Sequence, residues 1–376
     1  MAGRTLLVTN DFPPRQGGIE TFGYELAVRL AAEGGVVVYT SSSTGDHDFD
    51  AGLDFPVRRD TASTLLPTRR VGERAVELMT EYGCDRVVFG AAAPLGLLAR
   101  RLRAAGARRI VAITHGHEVW WARLPGPSWL LARIAADVDA LTYLGAFTRS
   151  ALVRAVRPDD HAKLSRLAPG VDPERFRPGL DGAPMRRRYG LGDAPVILCV
   201  ARLVPRKGVD TLIRAMTWVR LRVPRARLLV VGQGPDADRL RALARWAGVG
   251  EEVVFAGGHP HTELPAFFAA ADVFAMPSRT RRAGLEAEGL GIVYLEAAAS
   301  GLPVLVGNSG GAPDTVRHGE TGFVVDGEDP RAVADRLDML LGHPQLASKM
   351  GERGRERILA EWTWDASARR LVELLE

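Results

Sequence analysis

The sequence has only two cysteines, Cys84 and Cys199, and both lie in apolar stretches. Two thiols are too few for a disulfide framework, so we expect both to be reduced and buried, as in a cytosolic protein. The first residues lead directly into a strand pattern, without the apolar core and cleavage site of a signal peptide. No segment reaches the roughly 18 apolar residues that a membrane-spanning helix needs. These absences predict a cytoplasmic protein, free or attached peripherally to the inner face of the plasma membrane.

The sequence also lacks a strong imbalance of charge. Its 49 Lys and Arg against 45 Asp and Glu give a net charge of +4, too small to indicate a nucleic-acid partner. Basic residues nevertheless concentrate between positions 100 and 109, shortly before Trp120, Trp121 and Trp129. A basic helix beside aromatic residues is typical of a surface that docks on anionic lipid, although a solvated helix face beside core tryptophans gives the same pattern. The basic residues are Arg100, Arg101, Arg103, Arg108 and Arg109.

Metal ligands in a recognisable pattern are missing as well. The Asp-x-Asp pairs at 46/48 and 48/50 fall in a polar loop, and the pair at 137/139 straddles the start of a strand. The eight histidines show no spacing typical of a metal site. We therefore expect a protein that needs neither a metal ion nor a bound cofactor.

A chain of 376 residues suits two domains, each able to bury a core. Short β-branched runs alternate with amphipathic segments, which predicts βαβ units around a parallel sheet. The Pro-, Gly- and Arg-rich segment 177–195 interrupts this alternation, which then restarts. We expect two doubly wound, Rossmann-like α/β domains that face each other across a cleft: residues 1–178, joined by a C-terminal helix within 360–376, and residues 190–359. Strands are predicted at 5–9, 36–40, 86–89, 110–114, 140–144, 196–202, 227–231, 253–255, 273–276, 303–306 and 322–325.

In open parallel sheets, ligands bind beyond the carboxyl ends of the strands, so the loops there should carry the function. The loop after the first strand contains the pair Gly17-Gly18, where backbone N–H groups can approach an anion at the start of a helix. An ordinary turn before a helix explains the same glycines. Asp11 lies in this loop and is a candidate contact for an acceptor, although turn formation before Pro13 explains it better.

The strand that opens the second half runs into ARLVPRKG, which places Arg202 and Lys207 together at a strand-to-helix turn. Two fixed cations match a diphosphate, and they can stabilise the negative charge that develops when a sugar–phosphate bond breaks. A solvated basic turn is the alternative.

The segment EGLGIVYLE carries the most specific pattern. It begins with Glu288, continues through Gly289 and Gly291 and ends with Glu296, as in a loop that turns into a helix. Glu288 can then accept hydrogen bonds from sugar hydroxyls, Glu296 can hold a ribose diol, and N–H groups near Ile292 can hold phosphate. Two solvated helix positions are the alternative, but the apolar residues between them are poorly suited to exposure.

Five segments, in an order that spans nearly the whole chain, resemble the retaining family 4 glycosyltransferases, enzymes of the GT-B fold: GGIET, THGHE, ARLVPRKG, EGLGIVYLE and GNSGGAPD. More narrowly, TNDFPPRQGGIE, THGHEVWW, RLVPRKGVD, MPSRTR and EGLGIVYLEA resemble the actinobacterial members that add mannose from GDP-mannose to phosphatidylinositol monomannoside. The resemblance implies metal-independent transfer of α-mannose, with retention, to a glycolipid at an anionic membrane surface. This chain departs from the family at Asp314, where glutamate is more frequent. No feature of the sequence indicates an oligomeric state.

Carried over to this chain, the resemblance implies that Gly18, Arg202 and Lys207 hold the diphosphate of the donor. It assigns Glu288 to the transferred hexose and Glu296 to the ribose. The full set of expected donor contacts is Gly17, Gly18, Arg202, Lys207, His259, Glu288, Gly289, Leu290, Gly291, Ile292 and Glu296.

The resemblance also implies that His115 lies near the reacting sugar. An imidazole at this strand end can hydrogen-bond a sugar hydroxyl and buffer charge, but His117 is two residues on and could be confused with it. A histidine that caps a strand end is the alternative for either, and His259 is expected to line the pocket of the base. The expected catalytic residues are His115, Arg202, Lys207 and Glu288, and the expected acceptor contacts are Asp11, His117 and Trp120.

Other classes of protein stay open. The segment GQGPDA, which begins at Gly232, matches a dinucleotide-binding motif of an oxidoreductase, but the next strand does not end in the required acid. A non-catalytic protein that binds nucleotide sugars would need neither Glu288 nor His115. A related transferase could use a different nucleotide sugar and a soluble or natural-product acceptor.

Overall fold

The computed structural model describes residues 3–15, 17–116 and 118–376, and it divides into two compact units. The first unit consists of the chain up to Gly170 together with Trp364–Glu376, and the second consists of Val171–Thr363. The segment 177–195, which predicts a boundary by its composition, lies inside the second unit. The chain passes from one unit to the other earlier, after Gly170.

The first unit is built on one parallel sheet. Its strands are β1 (Arg4–Thr9), β2 (Val36–Ser41), β3 (Val57–Asp60), β4 (Cys84–Phe89), β5 (Arg109–Ala112), β6 (Ala140–Tyr143) and β7 (Leu164–Arg166). They lie in the order β3-β2-β1-β4-β5-β6-β7. The order changes direction between β1 and β4, so the loops that follow these two strands diverge and leave a crevice at the carboxyl edge.

The second unit is built on a second parallel sheet. Its strands are β8 (Val196–Val200), β9 (Arg227–Val231), β10 (Val253–Gly257), β11 (Val273–Met276), β12 (Val304–Gly307) and β13 (Gly322–Val325). They lie in the order β10-β9-β8-β11-β12-β13. Here the order changes direction between β8 and β11, and this switch point sets where a ligand site is expected.

Helices cover both faces of the sheets, as expected for doubly wound domains. No helix in the described ranges is long and apolar enough to cross a membrane. The helices are α1 (Gly18–Glu33), α2 (Asp46–Ala51), α3 (Arg69–Tyr82), α4 (Ala99–Ala104), α5 (Glu118–Trp121), α6 (Pro125–Asp137), α7 (Ala146–Ala155), α8 (Ala183–Arg188), α9 (Val209–Arg222), α10 (Ala237–Trp246), α11 (Leu264–Ala269), α12 (Ile292–Ala299), α13 (Pro330–Gly342), α14 (Pro344–Glu361) and α15 (Trp364–Leu375).

The central strands form the core of each unit. All residues of β2, and nearly all of β1 and β8, are buried, because helices cover both faces of a parallel sheet and leave no polar face. Cys84 and Cys199 are free and buried, as predicted. Burial raises the pKa of the Cys84 thiol to about 11 and that of Cys199 to about 12, so both are inert neutral groups in this core.

The last helix, α15, packs within the first unit. Its Trp364 lies against Phe22 of α1, with ring centroids 5.8 Å apart, and Asp365 accepts a 2.6 Å hydrogen bond from Arg29. Ser367 donates to the carbonyl of Ala168 at 2.7 Å. The helix therefore closes the domain that α1 begins, although the whole second unit separates them in the sequence.

The predicted α/β class, with two Rossmann-like parallel-sheet domains, is confirmed. The two edge strands β3 and β7 are absent from the sequence prediction. Their sequences, VRRD and LSR, are short and polar, so they lack the apolar run that marks the central strands.

Candidate active site

A buried ion pair lies at the switch point of the second sheet. Lys207 ends the short turn after β8, and its Nζ lies 2.6 Å from Oε2 of Glu288, in the loop that follows β11. The two side chains are only 11% and 8% exposed. Because β8 and β11 are neighbours in the sheet, their carboxyl ends bring together residues that are 81 positions apart. A buried cation and carboxylate in this position can bind a phosphate and a sugar hydroxyl side by side.

The backbone of Glu288 is held by the loop after β12. Its N–H donates to Ser309 Oγ at 3.1 Å, and its carbonyl accepts from the Gly311 N–H at 2.8 Å. Gly310 has a φ of 55°, and a Cβ there would lie 2.0 Å from the Glu288 carbonyl oxygen. The glycine pair of GNSGGAPD thus allows a close backbone approach that fixes the carboxylate. Asp314 follows in a short helical turn and its N–H bonds to the Gly311 carbonyl.

Helix α12 begins directly beyond this carboxylate. Gly289 and Leu290 continue the loop, Gly291 precedes the helix, and Ile292 is its first residue. The N–H groups of this first turn have no partner inside the helix, so they and the helix dipole favour an anion.

One turn into α12, Glu296 is buried, with a side chain that is 6% exposed. Its Oε1 accepts a 2.6 Å hydrogen bond from Nε2 of His261, which lies at the start of the short turn after β10. His261 is absent from the residues that the sequence predicts for the site. The glycine pair at the end of β10 indicates that this loop approaches the site, but it does not single out His261.

Arg202 completes the cluster at the end of β8. Its side chain is exposed and, within the described residues, forms no hydrogen bond or ion pair. Lys207 is paired in the protein, whereas Arg202 is available to an added anion. The alternative of a solvated basic turn therefore describes Arg202 but not Lys207.

Tyr294 forms the floor beneath Glu288. Its hydroxyl donates to the Met276 carbonyl at 2.9 Å and lies 3.0 Å from Ser278 Oγ. Burial, and then the negative charge of Glu288, hold the pKa of this phenol well above its usual range. Tyr294 is consequently neutral, and its hydroxyl supports the loop through these two contacts.

The loop that leads to Glu288 is anchored on α9. Arg279 bonds to Asp210 at 2.9 Å and to Thr211 Oγ1 at 3.0 Å. Burial is the largest single effect and favours the neutral acid. The hydrogen bond and charge of Arg279, together with the charge of Arg239, outweigh it and keep the pKa of Asp210 below its usual value. This second ion pair fixes the β11 loop at its start.

His259 lies near the same edge, in the loop after β10, but its ring is engaged elsewhere. Nδ1 is 2.8 Å from Glu263 Oε2, and Nε2 is 2.9 Å from the hydroxyl of Tyr189. The side chain is 9% exposed and packs on Phe267. His259 therefore ties its loop to Tyr189, directly after α8, and to Phe267 of α11.

In the first unit, His115 follows β5. Its Nε2 lies 2.5 Å from the carbonyl of Gly90, which directly follows the neighbouring β4, so Nε2 must carry the proton. The backbone N–H groups of His115 and Gly116 both donate to Glu118 Oε2 at 3.0 Å. The ring also packs edge-on against Phe22. His115 is held in one tautomer and one orientation at the carboxyl edge of the first sheet.

The other residues expected in the first unit lie on the same edge or near it. Gly17 and Gly18 are exposed at the start of α1, and Asp11 is half-buried, with its N–H bonded to Thr9 Oγ1 at 3.0 Å. Trp120 lies in α5 and is 38% exposed. His117 lies outside the described residues.

Comparison with known proteins agrees with this architecture. Residues 16–175 match the model of Glycosyltransferase Family 4, and residues 184–357 match that of Glycosyl transferases group 1. The chain is 50% identical over 374 residues to the GDP-mannose-dependent alpha-(1-6)-phosphatidylinositol monomannoside mannosyltransferase of Mycolicibacterium smegmatis, covering 98% of this chain and 97% of the relative.

The chain belongs to the family 4 glycosyltransferases. The corresponding protein of Corynebacterium glutamicum, described as acting on the monoacylated monomannoside, is 43% identical and covers 99% of this chain and 98% of its own.

Solved structures share the fold of this family 4 chain. Anabaena HepE in complex with UDP covers 99% of both chains with a TM-score of 0.83 at 18% identity. Sucrose-phosphate synthase from Thermosynechococcus elongatus covers 99% of this chain and 98% of its own, with a TM-score of 0.76 at 25% identity.

The glycines of the GQGPDA motif have a structural explanation within this fold. A Cβ at Gly232 would lie 1.9 Å from the carbonyl oxygen of Ala201, and one at Gly234 would lie 2.2 Å from that of Leu203. The loop after β9 thus packs backbone to backbone against the loop that carries Arg202. The oxidoreductase alternative has no further support.

The predicted basic cluster of the first unit is largely neutralised. Four of its five arginines lie beside acidic side chains: Arg100 beside Asp137, Arg101 beside Glu73, Arg103 beside Asp139 and Arg108 beside Asp85. The exposed apolar side chains lie slightly further along, in α5, α6 and the turn between them. Trp120, Leu124 and Trp129 are 38%, 44% and 58% exposed, and Arg133 lies over the Trp129 ring. We call these three the apolar patch.

A cavity of about 560 Å³ lies at the opposite edge of the second sheet. Its lining includes Pro195, Asp272 and Pro303, which directly precede β8, β11 and β12 respectively. It is therefore remote from the loops after the strands. In the described part of the chain, no group of three or more His, Cys, Asp or Glu side chains is arranged to hold a metal ion.

Proposed function

We propose that the protein is a retaining mannosyltransferase that moves α-mannose from GDP-mannose to a phosphatidylinositol monomannoside-type glycolipid. The relatives that are 43–50% identical over the full length carry this activity in their names. Within the structure, the observation that carries the proposal is the buried Lys207–Glu288 pair beside Glu296 and the start of α12.

In this proposal, Lys207 and the exposed Arg202 bind the diphosphate, together with the N–H groups at the start of α12. Glu288 accepts hydrogen bonds from the transferred hexose, and Glu296 accepts them from the ribose hydroxyls. Gly17 and Gly18 allow backbone N–H groups at the start of α1 to approach the same phosphates. The loop of His259 lines the base.

The reaction breaks the bond between the anomeric carbon and the phosphate oxygen of the donor. GDP leaves with the bonding electrons, and the cations of Arg202 and Lys207 stabilise its developing charge without a metal. The acceptor hydroxyl attacks from the same face and its proton passes to the departing phosphate oxygen, which accounts for retention. His115 contacts the sugar and stabilises the oxocarbenium-like state.

For the acceptor, we propose contacts from Asp11, His117 and Trp120 and docking at the inner face of the plasma membrane through the apolar patch. Exposed tryptophans beside arginine are suited to the interface of an anionic bilayer. The apolar side chains carry this role in our proposal, because acidic partners offset the neighbouring arginines.

The first test is calorimetric binding of GDP-mannose, GDP-glucose, UDP-glucose and UDP-N-acetylglucosamine in EDTA, followed by transfer from the preferred donor to phosphatidylinositol monomannoside. We expect metal-free preference for GDP-mannose and transfer to that lipid. Preference for a UDP-sugar would refute the donor, and transfer only to a soluble glycoside would refute the acceptor.

Membrane docking is tested by co-sedimentation with vesicles of phosphatidylglycerol and phosphatidylcholine. Trp129→Ala should reduce binding, since it removes from the apolar patch a tryptophan that is 58% exposed. The matched control is Trp246→Ala in the second unit, whose side chain is 81% exposed. Equal losses in both variants would contradict docking through the apolar patch.

A further inference from the structure

The contact between His261 and Glu296 holds a buried carboxylate in one orientation. A glutamate side chain turns freely about its last bond unless a partner fixes it. Here Nε2 of His261 donates to Oε1 at 2.6 Å. The other oxygen, Oε2, forms no hydrogen bond within the described residues, so the pair leaves one carboxylate oxygen for a further donor.

His261 is itself fixed from behind. Its ring lies 5.5 Å from that of Phe176, which is 2% exposed and packs edge-on against Phe268. Pro260 restricts the backbone immediately before it. The imidazole is 51% exposed on its outer side, whereas Glu296 is 6% exposed. A half-exposed histidine thus reaches inward from a rigid support to a buried acid.

We propose that His261 is a positioning residue, which aligns the Glu296 carboxylate for the two hydroxyls of a ribose. The inference rests on the proposed function, because it requires a nucleoside diphosphate at this site. A ribose diol presents two donors at a fixed separation, and a carboxylate that is already oriented loses less freedom when it accepts them. A side chain that binds a ligand is oriented by a hydrogen bond from a second residue, and that bond also tunes its basicity.

In the opposite role, His261 would compete with the ribose for the Glu296 carboxylate. If His261 occupied the oxygen that the ribose needs, the donor would have to displace it, and removal of the imidazole would strengthen binding. The two roles therefore predict opposite changes in affinity, which one measurement separates.

The experiment measures calorimetric binding of GDP and of 2′,3′-dideoxy-GDP, in EDTA, to wild-type protein and three variants. A hydrogen bond to a charged group contributes about 1.5–3 kcal/mol, so the wild type should prefer GDP by about 10- to 100-fold. His261→Ala should reduce this preference to about threefold or less. His261→Gln, whose amide can reach the position of Nε2, should keep most of it, and His261→Asn, whose amide is shorter, should not.

Each result decides the matter. An unchanged preference in His261→Ala, tighter binding of GDP by that variant, or loss of the preference in His261→Gln would overturn the positioning role while GDP binding, and the proposed function, stand. A wild type that binds GDP without preferring it to the dideoxy analogue would also overturn it. If the wild type bound no nucleoside diphosphate, the proposed function would fail and this inference with it. A variant that fails to fold is identified by its thermal unfolding, and the Gln and Asn pair then carries the decision.

Discussion

Replacing Lys207 with methionine removes one charge from the buried pair and keeps the length and apolar stem of the side chain. The remaining Glu288 carboxylate is 8% exposed and would lose a partner at 2.6 Å. Removing one member of a buried ion pair costs about 3–5 kcal/mol, because the other charge stays buried. In a domain of this size each kcal/mol lowers the unfolding temperature by about 2–4 °C, so the second unit should unfold at least about 6 °C earlier.

The same substitution should lower turnover by about 10²–10³-fold, the typical effect of removing one preorganised group that stabilises developing charge. Glu288→Gln should destabilise the second unit in the same way. The double variant Lys207→Met with Glu288→Gln should recover most of the stability, since no isolated charge is left, but it should recover no activity. Differential scanning calorimetry and a radiolabelled mannose transfer assay measure the two quantities on the same four proteins.

Either of two results would contradict these expectations. If the single variants unfold at the wild-type temperature, the pair is not buried in solution as it is in the structure. If Lys207→Met transfers mannose at close to the wild-type rate, Lys207 does not bind the leaving diphosphate.

Three further predictions follow from single side chains. Arg202→Ala should weaken GDP binding by about tenfold or more without changing thermal stability, because the removed bond is to an added anion. Arg214→Ala, which replaces another exposed arginine of the second unit, is the calorimetric control. Equal losses of GDP affinity in both variants would count against the site. Gly310→Ala should abolish transfer, whereas Gly319→Ala, which also has a positive φ but open space around it, should not, so similar transfer rates would show that the close approach is unimportant. Asp60 accepts hydrogen bonds from the guanidinium of Arg70, and these are the main cause that lowers its pKa to about 2. The charged form therefore stabilises the fold above about pH 4, and roughly 2 kcal/mol of the free energy of unfolding should be lost as the pH falls to about 2. Urea unfolding of Asp60→Asn should lack that pH dependence, and an equal loss of stability in this variant would contradict the prediction.

The sequence predicts the central strands well because strands that are buried on both faces consist of runs of apolar residues. The runs at 227–231, 273–276 and 322–325 are strands with those bounds, since apolar residues fill each of them apart from Arg227 and Gly322 at their starts. The edge strand β3, with the sequence VRRD, has one neighbour and a partly exposed face, so tertiary pairing decides it and composition does not.

The sequence predicts which residues belong to the site but not the contacts between them. That Lys207 and Glu288 follow neighbouring strands can be inferred from the α/β pattern, but their 2.6 Å contact depends on loop conformations set by close packing of backbone at Gly310. His261 could not be found this way, because its partner Glu296 is 35 residues away and no motif joins them. The sequence predicts that His259 lines the pocket of the base, whereas its ring contacts Tyr189, which lies in the segment 177–195 that interrupts the βα alternation.

The position of α15 sets the order in which the two units can be completed during synthesis. The second unit is one continuous stretch, 171–363, and can form its sheet as soon as it has left the ribosome. The first unit begins earlier but is finished later, because Trp364 and Asp365, which contact α1, emerge only after that whole stretch. Until then Trp364 does not cover the face of α1 around Phe22. The nascent first domain therefore exposes an apolar surface, to which chaperones can bind, while the second unit is synthesised.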